Sequence, residues 1–299
     1  MTPFRKSAPE LQAGNNAIYL TVDVEEYYHA EIFAGIINPT EWTKYPDHVE
    51  KNTMDLVQLF DRCNVRGTFF ILGSIAKKFP GLIRSILGSG HEVASHGNEH
   101  RMITKMSSSE FREDVRRSKQ ILEDISGTAI LGYRAPTFSI VKRTDWAYEI
   151  LLEEGFRYSS SVYAIRHDRY GWPEFGILPR KMAISGDRYL WEIPLSVEQM
   201  GGINVPFGGG GYLRLYPLFL TKYLLRKLLR FGRPAIVYVH PWEIDRQHPR
   251  IAMPVLKRIR HYVGISGTKE KMGDLLRSYP FGRMDQFLQR AQVATNISK

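Results

Sequence analysis

Ionisable side chains gather at four places in this chain: Asp23-Val-Glu25, with Glu26 and His29 just beyond, then His96-Gly-Asn-Glu-His100, Arg134-Ala-Pro136 and His240-Pro-Trp-Glu243. Two imidazoles spaced i, i+4 can converge on one cation if the backbone turns helically between them. With a carboxylate they make a two-His-one-carboxylate site with open positions, which suits Zn²⁺ and also fits Fe²⁺, Co²⁺ or Mn²⁺. His96-Gly-Asn-Glu-His100 also matches the inverted zinc-peptidase pattern His-x-x-Glu-His. That pattern needs a long helix, and Gly97 and Asn98 are poor helix formers, so the peptidase reading is disfavoured. Arg134 at a strand end favours a carboxylate partner in the site. Trp42, Trp172 and Trp242 fall in loops and could stack on sugar faces or simply close the core. Glu243 and Asp245 are expected to fix their loop, and His91 is expected to be structural.

These groups need elements that bring them together. Ala17 to Val24 is a near-continuous apolar run ending in acids, as in a strand buried on both faces. Gly67–Leu72, His91–Ser95, Ile130–Arg134, Tyr158–Val162, Leu190–Leu195 and Ala235–His240 read as further strands. Between them Val49–Asn64, Pro80–Leu87 and Thr144–Glu154 read as helices. Ser107-x-x-Glu110 is a capping box opening a helix that Gly127 closes. Repeated βα units imply a mostly parallel sheet or barrel, whose C-terminal rim is where such enzymes build their sites. Residues 166–187 look like an excursion loop and Gly208–Gly211 like a flexible run with no phosphate-loop Lys-Ser/Thr after it.

On a strand, residues i and i+2 share a face about 6.5 Å apart. Asp23 and Glu25 therefore both enter the barrel mouth while Val24 turns into the packing layer. Glu25 is longer and nearer the strand end, so it is the one expected to reach a metal held by His96 and His100. Asp23 would sit deeper, beside the metal's water, with Arg134 against it.

The 299 residues, 43% of them hydrophobic, suffice for one large core, and an α/β barrel of this length folds as a single unit. The expected division is a tail over 1–16, one domain over 17–284 and a second tail over 285–299. One cysteine, Cys63, excludes an intramolecular disulfide and a cysteine-based zinc cluster. The net charge of +10 is spread along the chain, without an arginine-rich arm, a basic zipper or an RNA-binding aromatic signature, so no nucleic-acid partner is expected. Residues 1–16 lack an apolar core of signal-peptide length, and a cytoplasmic location is expected. Leu213–Phe231 interleaves Leu, Phe and Tyr with five basic residues. A barrel helix with its apolar side in the core is favoured there, and peripheral contact with an anionic inner membrane face is the alternative. The sequence carries nothing on oligomeric state.

In these motifs the chain resembles the polysaccharide deacetylases of carbohydrate esterase family four, the NodB-homology domain. The corresponding elements are Thr21-Val-Asp-Val-Glu25, His96-Gly-Asn-Glu-His100, Arg134-Ala-Pro136, Trp191-Glu-Ile-Pro194 and Val239-His-Pro-Trp-Glu243, spanning about residues 17 to 262. Asp-Val-Glu-Glu-Tyr-Tyr-His and Tyr-Val-His-Pro-Trp-Glu look closest to the exosortase-associated, exopolysaccharide-cluster branch. The family's adjacent Asp pair is Asp-x-Glu here, as in the branch that also holds cyclic-amide hydrolases and a lipid-A-sugar deformylase. Gly97 stands where Ser or Thr is usual, and the third motif lacks its Tyr-Gly ending. The resemblance implies a distorted (β/α)7 barrel and metal-assisted hydrolysis of an N-acetyl group on a hexosamine.

In that scheme Asp23, Arg134 and His240 are catalytic, as base, partner of the base and general acid. Glu25, His96 and His100 hold the metal, while Thr137 (through a backbone N–H), Trp242 and His29 meet the N-acetylated glycan. Two other functions remain: hydrolysis of a different C–N bond on the same barrel, and non-catalytic glycan binding or scaffolding.

Overall fold

The computed structural model describes residues 17–297 apart from 168, 186 and 187. The expected tail over 1–16 lies outside the described residues.

Strand β1 (Ile18–Val24) is buried along its whole length, and its alternation sorts two cores. Ile18, Leu20, Val22 and Val24 pack towards the surrounding helices. Ala17 and Tyr19 face the inside of the sheet with Phe70, Ala94, Tyr158, Trp191 and Tyr238. The period of two thus carries Asp23 to the inner, site-bearing side.

Strands β2 (Thr68–Ile71), β3 (Glu92–Ser95), β4 (Gly132–Tyr133) and β5 (Tyr158–Ser159) follow in parallel, each joined to the last by a helical crossover. Strand β6 (Arg180–Ser185) runs antiparallel to β7 (Arg188–Glu192), and β8 (Val197–Met200) and β9 (Ile203–Pro206) form a separate hairpin. Strand β10 (Ala235–Val239) pairs with β1, as does the short β11 (Phe281–Gly282). The order β10-β1-β2-β3-β4-β5-β7 is a curled sheet of seven parallel strands, the distorted (β/α)7 plan. Its C-terminal ends share one rim.

The helices are α1 (Val49–Arg62), α2 (Gly73–Lys78), α3 (Pro80–Gly88), α4 (Ser108–Ser126), α5 (Ala147–Glu153), α6 (Gly210–Leu215), α7 (Leu218–Arg230), α8 (Val255–Tyr262), α9 (Ile265–Ser278) and α10 (Asp285–Ile297). Ser107 caps α4 reciprocally with Glu110, and Gly127 ends it at φ 65°, as the sequence predicts. Leu213–Phe231 is not one helix. Pro217 lacks the N–H that a continuing helix needs, so α6 stops and α7 starts beyond it. Leu224, Leu225 and Leu228 of α7 are buried in the core. Among the described residues no helix is long and apolar enough to cross a membrane.

Three local expectations are corrected. The excursion at 166–187 ends in a strand, β6. The glycine run closes the gap between β7 and β10: Gly208 C=O accepts from Tyr238 N–H at 2.9 Å, and Ser196 Oγ from Ile236 N–H at 2.6 Å. A Cβ at Gly209 would lie 2.2 Å from the Tyr238 ring, so only glycine fits this approach. The segment after 284 is not a tail, because Phe287 and Ala291 of α10 join Met284 in the inner core beneath the site. The side-chain signal for it, Phe287 followed four residues later by Ala291, is too short to separate a plug from a frayed end.

Candidate active site

Glu25, His96 and His100 bring one ligand atom each to within 4.8 Å of one another. His100 Nε2 lies 2.6 Å from Glu25 Oε2 and His96 Nε2 lies 3.9 Å from it. His96 Nδ1–H donates to the Arg134 carbonyl at 2.9 Å, which turns the Nε2 lone pair towards the cluster. The segment joining the two histidines is a loop, with Gly97 at φ 79° and His100 at φ 53°. Left-handed backbone, not a helical turn, lets the i, i+4 pair converge, and the helical peptidase arrangement is absent. A Cβ on Gly97 would approach Asp114 Oδ2 to 2.9 Å, and that carboxylate instead accepts from Asn98 N–H at 2.9 Å to hold the loop.

Asp23 and Arg134 form a pair out of contact with bulk water, Nη1 to Oδ1 2.6 Å. Arg134 Nη1 also donates to Thr21 Oγ1 at 2.8 Å, Nε to the Ser160 carbonyl at 3.0 Å and Nη2 to Ser160 Oγ at 3.1 Å. Its guanidinium lies 4.1 Å from the Phe70 ring centroid. Such a guanidinium has one place to be, and it fixes Asp23 with it.

His240 stands at the end of β10 with Nε2 3.9 Å from Asp23 Oδ2 and 3.7 Å from Glu25 Oε1. Its Nδ1–H donates to Glu243 Oε2 at 2.8 Å, and its backbone N–H donates to the same oxygen at 2.9 Å. Arg214 Nε donates to the other Glu243 oxygen at 2.8 Å. Glu243 is therefore more than a loop fixer, since with Arg214 it orients the ring. Sequence spacing shows Glu243 three residues from His240, but Arg214 lies 29 residues away in a basic stretch and carries no local signal.

The two kinds of histidine are pushed in opposite directions. Burial lowers His96 to about 4, favouring the neutral, ligand form. Burial also acts to lower His240, but Glu243 and Glu25 outweigh it and raise the imidazole to about 9. Burial would raise Glu25, yet His100, His240 and His96 together hold it well below the usual carboxylate range. A neutral His96 and an ionised Glu25 beside a protonated His240 suit a metal-assisted acid–base site.

A cavity of about 540 Å³ opens over these groups, lined by Asp23, Glu25, His96, His100, Thr137 and His240. Phe138, Tyr170, Tyr212 and Tyr238 add aromatic surface that the motifs did not reveal. Thr137 and Phe138 both have left-handed φ, 54° and 49°, a strain retained on the cavity wall. Trp242 stacks between His240 (5.1 Å) and His261 (4.8 Å) and donates from Nε1 to Glu25 Oε1 at 3.3 Å. It reaches the cavity but is a positioning residue, its faces already covered. His29 does not line this cavity. It stacks on His100 at 5.5 Å and accepts from the Glu26 N–H at 3.1 Å, and burial lowers it to about 3. Glu26 Oε1 accepts from His48 and Val49 N–H at 2.7 and 2.8 Å at the start of α1, and is structural. Glu192 of the fourth motif likewise accepts from the Ser161 and Val162 N–H groups, at 2.8 and 2.9 Å, and supports β5 from behind.

Residues 13–155, which carry the donor triad, Asp23 and Arg134, match the family described as polysaccharide deacetylase. This part of the chain belongs to that family. Residues 160–289 match a family described as a domain of unknown function, DUF3473. A peptidoglycan-N-acetylglucosamine deacetylase of Bacillus cereus is 30% identical over 129 residues, covering 42% of this chain and 46% of the relative. The chain spans less than half the length of the curated relatives it matches first. In fold it is similar to a Mycobacterium smegmatis protein described as a candidate polysaccharide deacetylase (TM-score 0.62, 22% identity, 96% of this chain and 95% of that one). It is similar also to the allantoinase Puue (TM-score 0.59, 15% identity, 95% and 93%). The deacetylase segment thus supplies the three candidate metal donors and the buried carboxylate. The segment of unknown function supplies His240, Glu243 and Arg214, and both line one cavity.

Proposed function

We propose that this chain is a metal-dependent hydrolase that removes the N-acetyl group from hexosamine units of a polysaccharide or its lipid-linked precursor. The carrying observation is the placement of Glu25, His96 and His100 beside an Arg134-held Asp23 and a Glu243-held His240 in one cavity. The donor set fits a divalent cation, Zn²⁺ first, with Fe²⁺, Co²⁺ or Mn²⁺ accommodated by the same atoms. When bound, such a cation polarises the amide carbonyl and lowers the pKa of water. Asp23 Oδ2, the oxygen that Arg134 Nη1 does not engage, takes the proton of the water that attacks the carbonyl carbon. Thr137 lines the cavity, and its backbone N–H serves to steady the developing oxyanion, a contribution of about 3 kcal/mol for one donor. His240 Nε2 gives its proton to the amide nitrogen as the C–N bond breaks, leaving acetate and a free amino sugar. The motif likeness to the exosortase-associated branch supports an exopolysaccharide glycan met on the cytoplasmic side before export.

Elemental analysis of the purified chain followed by an acetate-release screen tests this reading. About one divalent metal per chain, and acetate from an N-acetylhexosamine oligomer that a chelator abolishes and added metal restores, are the expected results. A metal-loaded chain that opens a cyclic amide or releases formate but no acetate would reassign it to another C–N bond. A chain that takes up no metal would overturn catalysis of this kind.

His240→Ala should keep its metal and lose roughly 10²–10⁴-fold in kcat, the value of a general acid. Glu243→Gln should be milder and diagnostic. His240 is charged below about 9 in the parent, so activity that needs its proton falls as pH rises through that region. Removing the Glu243 charge must move this alkaline limb to lower pH. A limb that stays in place would show that His240 is not the group titrating there.

A further inference from the structure

Helix α8 has an unusual solvent face. Val255, Leu256 and Ile259 are 58%, 82% and 57% exposed, although they lie together at i, i+1 and i+4 on one side of the helix. The opposite side is anchored, because His261 stacks on Trp242 and the Tyr262 hydroxyl donates to the Pro249 carbonyl. Lys257 and Arg260 project into the cavity lining, where among the described residues no carboxylate pairs with either. Leu215 of α6, 52% exposed, lines the same mouth, and α7 begins just beyond it with the exposed Phe219.

Residues 246–269 hold six Lys and Arg and no Asp or Glu, and residues 199–242 hold another six with none. Of these twelve Lys and Arg, Arg214, Lys227, Arg233, Arg246 and Lys269 meet a carboxylate, and the other seven, Lys257, Arg258 and Arg260 among them, pair with none among the described residues. An exposed apolar strip flanked by basic groups matches a surface with an apolar interior and anionic headgroups. A twofold contact with a second copy would set Lys257, Arg258 and Arg260 against themselves, a like-charge arrangement that disfavours that occupant.

We propose that α8 docks the cavity mouth onto an anionic lipid bilayer, so that the glycan is taken from a lipid carrier at the membrane surface. The last clause rests on the deacetylase reading, and docking itself is measured without catalysis. The full chain should co-sediment with phosphatidylcholine vesicles containing phosphatidylglycerol and much less with phosphatidylcholine alone, and high salt should weaken binding. Leu256→Ser combined with Ile259→Ser, both on the exposed side of α8, should weaken partitioning about tenfold or more. Acetate release from a soluble chito-oligosaccharide and the thermal midpoint should stay at parent values. A parent that ignores anionic vesicles, or a double variant that binds as well as the parent, would overturn the proposal. So would a parent dimer in light scattering that the double variant splits, since the face would then cover a second copy. Vesicle binding that persists in a chain releasing no acetate from any substrate would leave docking standing and remove the deacetylase reading.

Discussion

Glu25→Ala is expected to abolish metal binding, whereas Asp23→Asn keeps the metal and loses roughly 10²–10⁴-fold in kcat, the value of a missing general base. The two carboxylates are two residues apart, Asp23 in β1 and Glu25 just past its end, and both line the cavity, but their partners differ. Glu25 faces His100 at 2.6 Å and His96 at 3.9 Å, so removing it leaves two imidazoles without their anionic companion. Asp23 is held by Arg134, and its nearest histidine distance is 3.9 Å, to His240. Asn at 23 still accepts a hydrogen bond from the guanidinium but is a far weaker base. Metal content by elemental analysis and turnover on the same preparations read the two effects separately. If Asp23→Asn emptied the chain of metal while Glu25→Ala kept it, the assignment of base and ligand would be reversed.

Replacing Arg134 should give the largest loss of stability. Its side chain is fully buried and is satisfied by Asp23, Thr21 and Ser160. Arg134→Met leaves Asp23 as a buried charge without its partner, which costs about 3–5 kcal/mol. A thermal midpoint lower by about 6 °C or more follows for a domain of this size. The double variant Arg134→Met with Asp23→Leu removes both charges and should regain much of that stability while remaining inactive. Additive losses in the double variant would show that Arg134 acts through packing on Phe70, not through Asp23.

Much of this was legible from local patterns. The alternation in β1 is strict enough to set Asp23 on the inner side, and Ser107, Glu110 and Gly127 mark both ends of α4. Strand-end acids and histidines pointed to one rim because parallel strands put all their C-terminal ends on the same side. What stayed hidden depends on contacts far apart in sequence. Arg214 reads as one more basic residue until α6 meets Glu243 beyond β10. Trp242 reads as a loop aromatic free to stack on sugar, and only the packed fold shows His240 and His261 on its two faces. His29 sits four residues past Glu25, close enough to suggest a contact with substrate, yet the short helical turn that follows β1 rotates it behind His100. The plug formed by α10 has no motif, only Phe287 and Ala291 at helical spacing.

That plug governs traffic. With Met284, Phe287 and Ala291 filling the barrel under Arg134, the reaction vessel has a sealed floor and opens at the strand-end rim. What the site releases leaves on the rim side, past the bound glycan. A small acid formed below a bound chain has to wait for the chain to shift. In an enzyme of this plan the length of the glycan would then set the waiting time between turnovers and leave the speed of bond cleavage untouched.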